Sequence, residues 1–415
     1  MLADHSHERR LSGGTPHASN RQLPSLTPLR GIAALWVVLY HYCGTGQFLP
    51  NLDITPHSYV IGKGYLAVDM FFVLSGFVMA HVYQRAFAEG VTKNYRGFLA
   101  ARIARLYPLH VFILLLFVAT AVASHFISGI TTGSFEAIPL TGPRSLGAII
   151  ANIFMLQGLS AAQLSWNYPE WSVSVEFIAY LAFPVALLLM GRAPPAARLT
   201  LGAVLFAVLA CLAMITQGDL DQWDGPLTLM RCMPEFLFGT LLYFVFRDYG
   251  QRYWLRSDTV IFPVFVATLL CLHLGAPDLL IIALFAALVL LAVSNTGVFA
   301  KLANIGPLIW LGEISYSLYL VHGLVQFAAE KGLGAIGIRH NAALSTGQSL
   351  ALMMLMLAVC VVFASATYSG IEIVWRRYLR AFLAGDGKRE RPAPSARGRR
   401  LAARPAVRAT VTESN

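Results

Sequence analysis

The stretch RGIAALWVVLYH, residues 30–41, opens the first long apolar segment of the chain between two ionisable side chains. Eleven steps of about 100° bring Arg30 and His41 within roughly 20° of each other, so a helix holds both on one face, about 16 Å apart along its axis. We expect Arg30 near a membrane surface and His41 near mid-bilayer. Ionisable groups at that depth are costly and usually functional, and a histidine moves protons near neutral pH. The alternative is an interfacial arginine anchor and a packed histidine.

The composition identifies a membrane protein. Of the 415 residues, 57% are hydrophobic and only 13% are charged, whereas ordinary soluble domains have about 25% charged residues. The five cysteines are scattered without a CxxC pair, which favours packing roles over a disulfide framework or a metal site. From Arg376 to the C-terminus there are 11 Lys/Arg and 3 Asp/Glu. After a membrane span, such a tail is expected to face anionic lipid in the cytoplasm rather than nucleic acid.

Apolar runs predict the membrane spans, each of which needs about 20 residues. Ten runs qualify, at residues 30–48, 65–84, 107–127, 171–190, 199–216, 228–246, 258–274, 278–295, 305–328 and 349–373. A shorter run, 146–158, is expected to be re-entrant or interfacial. With ten crossings, most loops rich in Lys and Arg fall on one side, as the positive-inside rule requires. We therefore expect an all-α, polytopic transmembrane helix bundle with both termini cytoplasmic. Its membrane domain covers 25–378, between disordered tails at 1–24 and 379–415.

Two more clusters supply candidate site residues. Asp69 lies in the second apolar run between Gly64 and Gly76, and glycines permit close helix approach. Its carboxylate either fixes the tautomer of a membrane histidine or accepts backbone hydrogen bonds at a helix start. Arg102 and Arg105 are three residues apart, hence on one helix face, before the third span. Paired guanidiniums suit a phosphate-bearing ligand, although a positive-inside anchor is the commoner role of each alone.

The stretch WNYPEWSVSVEFIAYLAFP, residues 166–184, carries a glutamate, Glu176, inside a predicted span. A glutamate in the membrane beside Ser174 is a candidate acid, base or hydroxyl-binding group. The two tryptophans, Trp166 and Trp171, are more typical of an aromatic belt at the membrane interface.

Five motifs in this order resemble those of the acyltransferase-3 family of bacterial integral-membrane acyltransferases. They read RGIAALWVVLYH, GYLAVDMFFVLSGF, RIARLYP, WSVSVEF followed by FP, and ISYSLYLVH, and the resemblance covers about residues 25–375. It implies a multi-pass enzyme of the bacterial inner membrane that moves an acyl group, commonly acetyl, from acyl-CoA to a carbohydrate hydroxyl. Family acceptors include lipopolysaccharide and exported polysaccharides. Acyl-CoA is then a substrate, and no permanently bound cofactor is implied.

The resemblance also implies roles for individual residues. The implied catalytic set is Arg30, His41, Asp69 and Glu176; the donor set is Arg102, Arg105 and Tyr107; the acceptor set is Trp171, Ser174, Tyr316 and His322. Two departures weaken other positions: Phe177 stands where many members have a second glutamate, and Val374 stands where a proline is usual.

Two function classes are compatible with these residues. In an acyltransferase, His41 is the general base or carries the acyl group briefly, and the sequence leaves both roles open. The expected partners are acyl-CoA, a carbohydrate or lipid-linked glycan, and the lipid bilayer. The alternative is a proton-coupled transporter or exporter, because membrane Asp, Glu, His and Arg also describe a carrier. No repeat of fixed period is visible in the sequence, which counts against the carrier.

Overall fold

The computed structural model describes residues 25–44, 47–133, 142–159, 165–218, 220–222, 225–335, 337–338 and 343–383. Every regular element in these ranges is helical. The α-helices are α1 Leu26–Cys43, α2 Ala67–Ala88, α3 Val91–Thr132, α4 Leu146–Ile153, α5 Trp171–Arg192, α6 Pro195–Ile215, α7 Thr228–Tyr249, α8 Tyr253–Arg256, α9 Asp258–His273, α10 Asp278–Ser294, α11 Val298–Ala303, α12 Gly306–Glu313, α13 Ser315–Ala335, α14 Thr346–Thr367 and α15 Ile373–Leu383. A π-helical turn, Tyr368–Glu372, joins the last two.

The chain is a multi-span membrane protein, because six helical segments are long and apolar enough to cross a bilayer. They are Gly64–Ala88, Val91–Ile130, Tyr168–Arg192, Pro195–Ile215, Gly225–Tyr249 and Thr346–Leu379. The pair α12 and α13 makes a seventh if it counts as one span, although the two helices meet at a 64° bend. Two shorter apolar helices, α9 and α10, and the 18-residue α1 occupy the remaining predicted runs. The expected all-α class is thus confirmed, and each predicted run is largely helical, although α1 ends at Cys43 within the run 30–48 and Ile314 interrupts the run 305–328.

The short run at 146–158 forms α4, which has only 8 residues, and a 3-10 turn, Gln157–Leu159. At 1.5 Å per residue, α4 is about 12 Å long and cannot cross a bilayer by itself. The side chain of Asn152 holds its last turn, donating to Ala148 O at 2.7 Å. The predicted start of the C-terminal tail at 379 falls inside α15, which continues to Leu383. Residues 1–24 and 384–415, the rest of both predicted tails, lie outside the described residues, so the domain boundaries stay a prediction.

Helices α2 and α7 make the closest contact in the core. A Cβ atom built on Gly76 would overlap the carbonyl oxygen of Phe236, and one on Gly239 would overlap that of Val73. Because both positions are glycine, the two backbones can touch, as they do at other membrane helix interfaces built on small residues. This contact fixes α2, which carries Ser75, against the middle of the bundle.

Two ion pairs mark opposite ends of the helix bundle. We call one the arginine end, where Arg105 pairs with Glu372. At the other, the aspartate end, Lys63 Nζ lies 2.5 Å from Asp278. His41 lies in the last turn of α1, towards this second end and not halfway along the helix. The following segment folds back over that turn, with Leu49 N donating to Tyr42 O at 2.8 Å, so a mid-bilayer depth for His41 stays a prediction.

Candidate active site

A cavity of about 480 Å³ opens among α1, α2, α3, α5, α13 and α15. We call it the arginine cavity because its lining includes four arginines, Arg30, Arg102, Arg105 and Arg376. Glu176 is the one carboxylate among the lining residues, so their formal charges sum to +3. Positive charge in a concave site surrounded by apolar helices attracts anions strongly. This cavity is therefore suited to an anionic ligand.

The two arginines of α3 are held differently. Arg102 stacks on Tyr83, with 5.5 Å between its guanidinium carbon and the ring centroid, and its Nη2 donates to the hydroxyl of that tyrosine at 3.2 Å. Its Nε is buried without an acceptor among the described residues. Arg105 instead forms an ion pair with the buried carboxylate of Glu372, which also accepts a hydrogen bond from Ser317 Oγ at 3.0 Å. Arg102 keeps donor capacity for a ligand, whereas Arg105 is already neutralised.

Arg30 has the fewest polar contacts of the four cavity arginines. It is partly buried in α1, and no described residue accepts a hydrogen bond from it or forms an ion pair with it. A guanidinium presents five donors in a planar fork that matches carboxylate and phosphate oxygens. The carboxylates of Glu372 and Glu176 act on Arg30 only from beyond ion-pair distance. Its donors are therefore left for water or for an anionic ligand in the cavity that it lines.

Glu176 joins a hydrogen-bonded chain on the wall of the arginine cavity. Its Oε1 accepts from the hydroxyl of Tyr180 at 2.6 Å, and that hydroxyl lies 2.8 Å from Ser75 Oγ. All three residues line the cavity. The chain fixes the glutamate rotamer and leaves its second oxygen available to a ligand hydroxyl or proton.

Two stacked histidines lie near the aspartate end. The rings of His41 and His322 have centroids 5.3 Å apart and planes inclined by 20°. His322 Nδ1 lies 2.6 Å from Tyr319 O, and because a carbonyl only accepts, Nδ1 carries the proton of a neutral ring. Its Nε2 is then an acceptor, buried and without a donor among the described residues. A neutral imidazole with a free ring nitrogen can take a proton from a ligand.

A second cavity, of about 370 Å³, is lined by residues of α3 and α13 and of the segments before α4 and α5. We call it the outer cavity. Tyr168 lines it and packs edge-on against His41, with centroids 4.8 Å apart. Tyr319 lines the arginine cavity and packs against His322 at 5.7 Å. Each cavity thus has a wall residue in contact with a histidine, although neither lining includes His41 or His322.

The predicted site residues divide into several groups. Arg30, Arg102, Arg105, Glu176 and Tyr316 line the arginine cavity. Tyr316 was expected at the acceptor, but here its ring lies 5.5 Å from the Arg105 guanidinium and its hydroxyl donates to Leu106 O at 2.8 Å. The structure thus brings together residues predicted for donor, acceptor and catalysis. Their roles stay predictions.

Three other predicted residues lie outside both cavity linings. Tyr107, expected at the donor, donates to Ile153 O at 2.8 Å and so ties α3 to α4. Ser174 donates to Met155 O at 2.7 Å and steadies the turn before α5. Trp171 packs under the guanidinium of Arg231, 5.6 Å from its ring centroid. The aromatic-belt alternative is wrong for Trp166, which is only 2% exposed.

Asp69 contacts an arginine and not a histidine. Both its oxygens accept from Arg231, from Nε at 2.8 Å and from Nη2 at 2.6 Å. The two side chains are essentially inaccessible to solvent, and Arg231 also donates to Leu220 O at 2.8 Å. Glu235 shares this buried cluster, with both carboxyl oxygens lacking a donor among the described residues. The pair therefore ties α2 to α7 and to the loop of the aspartate end.

Sequence reasoning missed Arg231, Glu235 and a second buried pair. His110 Nδ1 lies 2.9 Å from Glu170 Oε2, and its Nε2 lies 2.8 Å from Asn152 O. A ring nitrogen that close to a carboxylate requires a proton on one of the two. The signal was present, because these are ionisable residues at or inside apolar runs and the rule applied to His41 covers them as well.

Comparison with known proteins identifies the family of this chain. A family profile described as "Acyltransferase domain" (Acyl_transf_3) matches residues 23–365. "Acyltransferase MdmB" of Streptomyces mycarofaciens is 26% identical over 376 residues, which cover 85% of this chain and 91% of the relative. "Putative peptidoglycan O-acetyltransferase YrhL" of Bacillus subtilis (strain 168) is 25% identical over 335 residues, or 73% of this chain and 48% of that protein. No solved structure matches the chain.

The family match covers all the helices that line the two cavities except α15. It includes α1, α2, α3, α5 and α13 in full, so each arginine of the arginine cavity except Arg376, and both stacked histidines, fall within it. This multi-span membrane protein belongs to the acyltransferase-3 family.

Proposed function

We propose that this protein transfers an acyl group, acetyl in the simplest case, from acyl-CoA to a hydroxyl of a cell-surface or exported carbohydrate. The observation that carries the proposal is the arginine cavity. Coenzyme A bears phosphate groups on an extended arm, and guanidiniums bind phosphates through charge-assisted, bidentate hydrogen bonds. Arg30 and Arg102 have donors to spare, so these two are the proposed phosphate ligands, with Arg105 and Arg376 adding positive charge.

The acyl end of the donor would reach towards the histidine pair, past Tyr319. One of two mechanisms then operates. As general base, a histidine nitrogen takes the acceptor O–H proton while the oxygen attacks the thioester carbonyl; the C–O bond forms, the C–S bond breaks, and the thiolate leaves with the proton. As carrier, the unprotonated nitrogen of His41 attacks the thioester carbonyl, a C–N bond forms, the C–S bond breaks, and the thiol leaves with the proton of the other ring nitrogen. The acceptor oxygen then attacks the acyl-histidine, the C–N bond breaks, and the acceptor proton returns to the ring. Both mechanisms need an unprotonated nitrogen, as at His322 Nε2.

We further propose ten spans with both termini cytoplasmic, in a bacterial inner membrane. Loops rich in Lys and Arg lie at the arginine end, and the positive-inside rule puts these in the cytoplasm, where acyl-CoA is made. The bend between α12 and α13 and the shortness of α9 and α10 are compatible with crossing, because helices inside a bundle need not match the bilayer thickness individually. Acyl-CoA would enter from the arginine end and the acceptor from the aspartate end.

The relatives support the choice of reaction. One is named an acyltransferase and another a "putative peptidoglycan O-acetyltransferase". By analogy with these relatives, we infer acetyl as the acyl group and a glycan as the acceptor. The alternative of a proton-coupled carrier draws support from buried ionisable pairs such as Asp69 with Arg231. Such pairs also hold structure in membrane enzymes, and family membership favours the enzyme.

A binding experiment tests the donor site without knowledge of the acceptor. Purified protein is titrated with acetyl-CoA and with acetyl-pantetheine, which keeps the thioester but lacks the nucleotide phosphates. Arg30→Gln should weaken acetyl-CoA binding about 10- to 100-fold, the value of a hydrogen bond between charged groups, and leave acetyl-pantetheine binding unchanged. Arg105 is a poorer test, because its loss also removes the nearest ion-pair partner of the buried Glu372 and leaves only Arg376 at 3.7 Å.

The matched control is Arg256→Gln, which changes an arginine that hydrogen-bonds Gln251 on an exposed surface. It should bind both compounds as the wild type does. Equal affinity of the wild type for acetyl-CoA and acetyl-pantetheine would refute phosphate binding in the arginine cavity. Absence of acetyl-CoA binding and of CoA release with any hydroxyl acceptor would refute the enzyme itself.

A further inference from the structure

The outer cavity differs from the arginine cavity in charge and in the kind of side chain that lines it. Its charged lining residues are one arginine, Arg144, and one glutamate, Glu330, so their formal charges cancel. Four of its eight other lining residues are aromatic, namely Phe117, Trp166, Tyr168 and Phe327, and the guanidinium of Arg144 lies 4.5 Å from the ring centroid of Phe327. A site with no net formal charge and a half-aromatic wall attracts a phosphate-bearing donor less than the arginine cavity does. It suits a neutral molecule with both apolar faces and hydroxyl edges.

The floor of the outer cavity holds an unused hydrogen-bond donor. Trp166 is 2% exposed and lines the cavity, and its indole N–H has no acceptor among the described residues. Buried donors are nearly always paired in folded proteins, and a tryptophan N–H usually finds a partner when buried. An unpaired one in a cavity wall indicates that a ligand or water completes it.

One face of α13 supplies the opposite wall. Gly323, Gln326, Phe327 and Glu330 recur at helical spacing and line the cavity together, as residues three and four apart do. Gln326 accepts from the hydroxyl of Tyr168 at 2.7 Å, which fixes the tyrosine ring against His41. Glu330 is exposed whereas Gly323 and Phe327 are buried, so the cavity is open at its Glu330 side and closed towards the histidines.

We propose that the outer cavity is the acceptor site and that it binds a neutral sugar ring, a subsite that rests on the proposed acyltransferase function. A pyranose has an apolar C–H face for an aromatic wall and hydroxyls that both donate and accept. In this site the indole N–H of Trp166 donates to one sugar hydroxyl and Glu330 accepts from another at the mouth. Tyr168 bounds the site on the side of His41, so a sugar hydroxyl at that wall is separated from the histidine pair by one tyrosine ring.

The test uses full-length purified protein, acetyl-CoA and three named probes: methyl β-D-glucopyranoside, methyl N-acetyl-β-D-glucosaminide and chitotriose. CoA release and the mass of the acetylated sugar are measured for each. On the best probe, Trp166→Phe, which keeps an aromatic ring but removes the indole N–H together with the pyrrole half of the indole, should raise the sugar KM at least three- to tenfold, the value of one neutral hydrogen bond. Glu330→Gln should raise it as well. The KM for acetyl-CoA should not change in either variant.

The matched control is Trp254→Phe at a tryptophan that is 55% exposed; it should leave both KM values as in the wild type. If Trp166→Phe and Glu330→Gln leave the sugar KM unchanged while the wild type acetylates the probe, the acceptor site is elsewhere and the enzyme function stands. If the wild type acetylates none of the sugars but acetylates glycerol or a phosphatidylglycerol headgroup, the sugar assignment is wrong. If it binds no acetyl-CoA, the proposed function fails before any variant is compared.

Discussion

Breaking the ion pair between Asp69 and Arg231 should destabilise the protein far more than breaking an ion pair on its surface. The substitution Asp69→Asn keeps the side-chain volume and removes the charge that accepts both guanidinium hydrogen bonds, at 2.8 Å and 2.6 Å. Removing one partner of a buried pair costs about 3–5 kcal/mol, because the other charge stays buried without compensation. That energy corresponds to a change of about a hundred- to several-thousand-fold in the folding equilibrium. Glu235, in the same cluster, can replace part of the lost charge, so we expect the lower half of the range.

The matched control is Asp248→Asn. Asp248 pairs with Arg247 at 2.7 Å and with Arg198 at 3.4 Å, and its side chain is 34% exposed. Such exposed pairs contribute about 0.2–1 kcal/mol each. The assay is thermal unfolding in detergent with a thiol-reactive fluorophore. The exposed Cys211 and the half-buried Cys271 are first blocked in the folded protein, so that the buried free thiols Cys43, Cys232 and Cys360 report unfolding. If Asp69→Asn is no more destabilising than Asp248→Asn, the ion-pair reasoning is refuted.

A double variant separates structure from chemistry. Replacement of a buried pair by apolar side chains of similar volume is often neutral, so Asp69→Leu with Arg231→Met should cost less than the sum of the two single changes. If the double variant is as stable as the wild type but inactive in acyl transfer, Asp69 has the catalytic role that the family resemblance implies. If it is stable and active, Asp69 only holds α2 against α7.

Three further outcomes are expected. His41→Gln should lower acyl transfer about 10²- to 10⁴-fold with donor binding intact, because an amide cannot take up a proton at neutral pH; near-normal CoA release by a well-folded variant would remove the histidine from the mechanism. Gly76→Ala should destabilise the protein by about 1–3 kcal/mol or more, as overpacking does, because its Cβ would overlap a backbone carbonyl. Gly97→Ala, at a position with open space around it, should leave the stability unchanged. Equal thermal stability of the two variants would contradict the close helix contact. Reporter fusions after Asp221 and Lys388 should report opposite sides of the membrane, and the ten-span topology fails if both report the same side.

The sequence predicted the helical class and the positions of the apolar segments because both depend on local composition. A run such as 278–295 must be helical in a bilayer, since an unpaired backbone in lipid costs several kcal/mol per group. Likewise, the spacing of Arg102 and Arg105 on one face of α3 follows from helix geometry alone. The motifs in register then indicated the family, which the profile over residues 23–365 confirms.

The partners of the ionisable residues were decided only by the tertiary structure. From its position alone, Asp69 could hydrogen-bond a histidine, but α7 brings Arg231 to it across 162 residues of sequence. A guanidinium donates two hydrogen bonds to a buried carboxylate, whereas an imidazole donates one. In the same way α13 brings His322 onto His41, and Glu372 reaches Arg105 from the π-helical turn after α14. A one-dimensional pattern specifies which side chains face inward, whereas packing of distant helices specifies which of them meet. The arginine cavity and the outer cavity exist only through that packing.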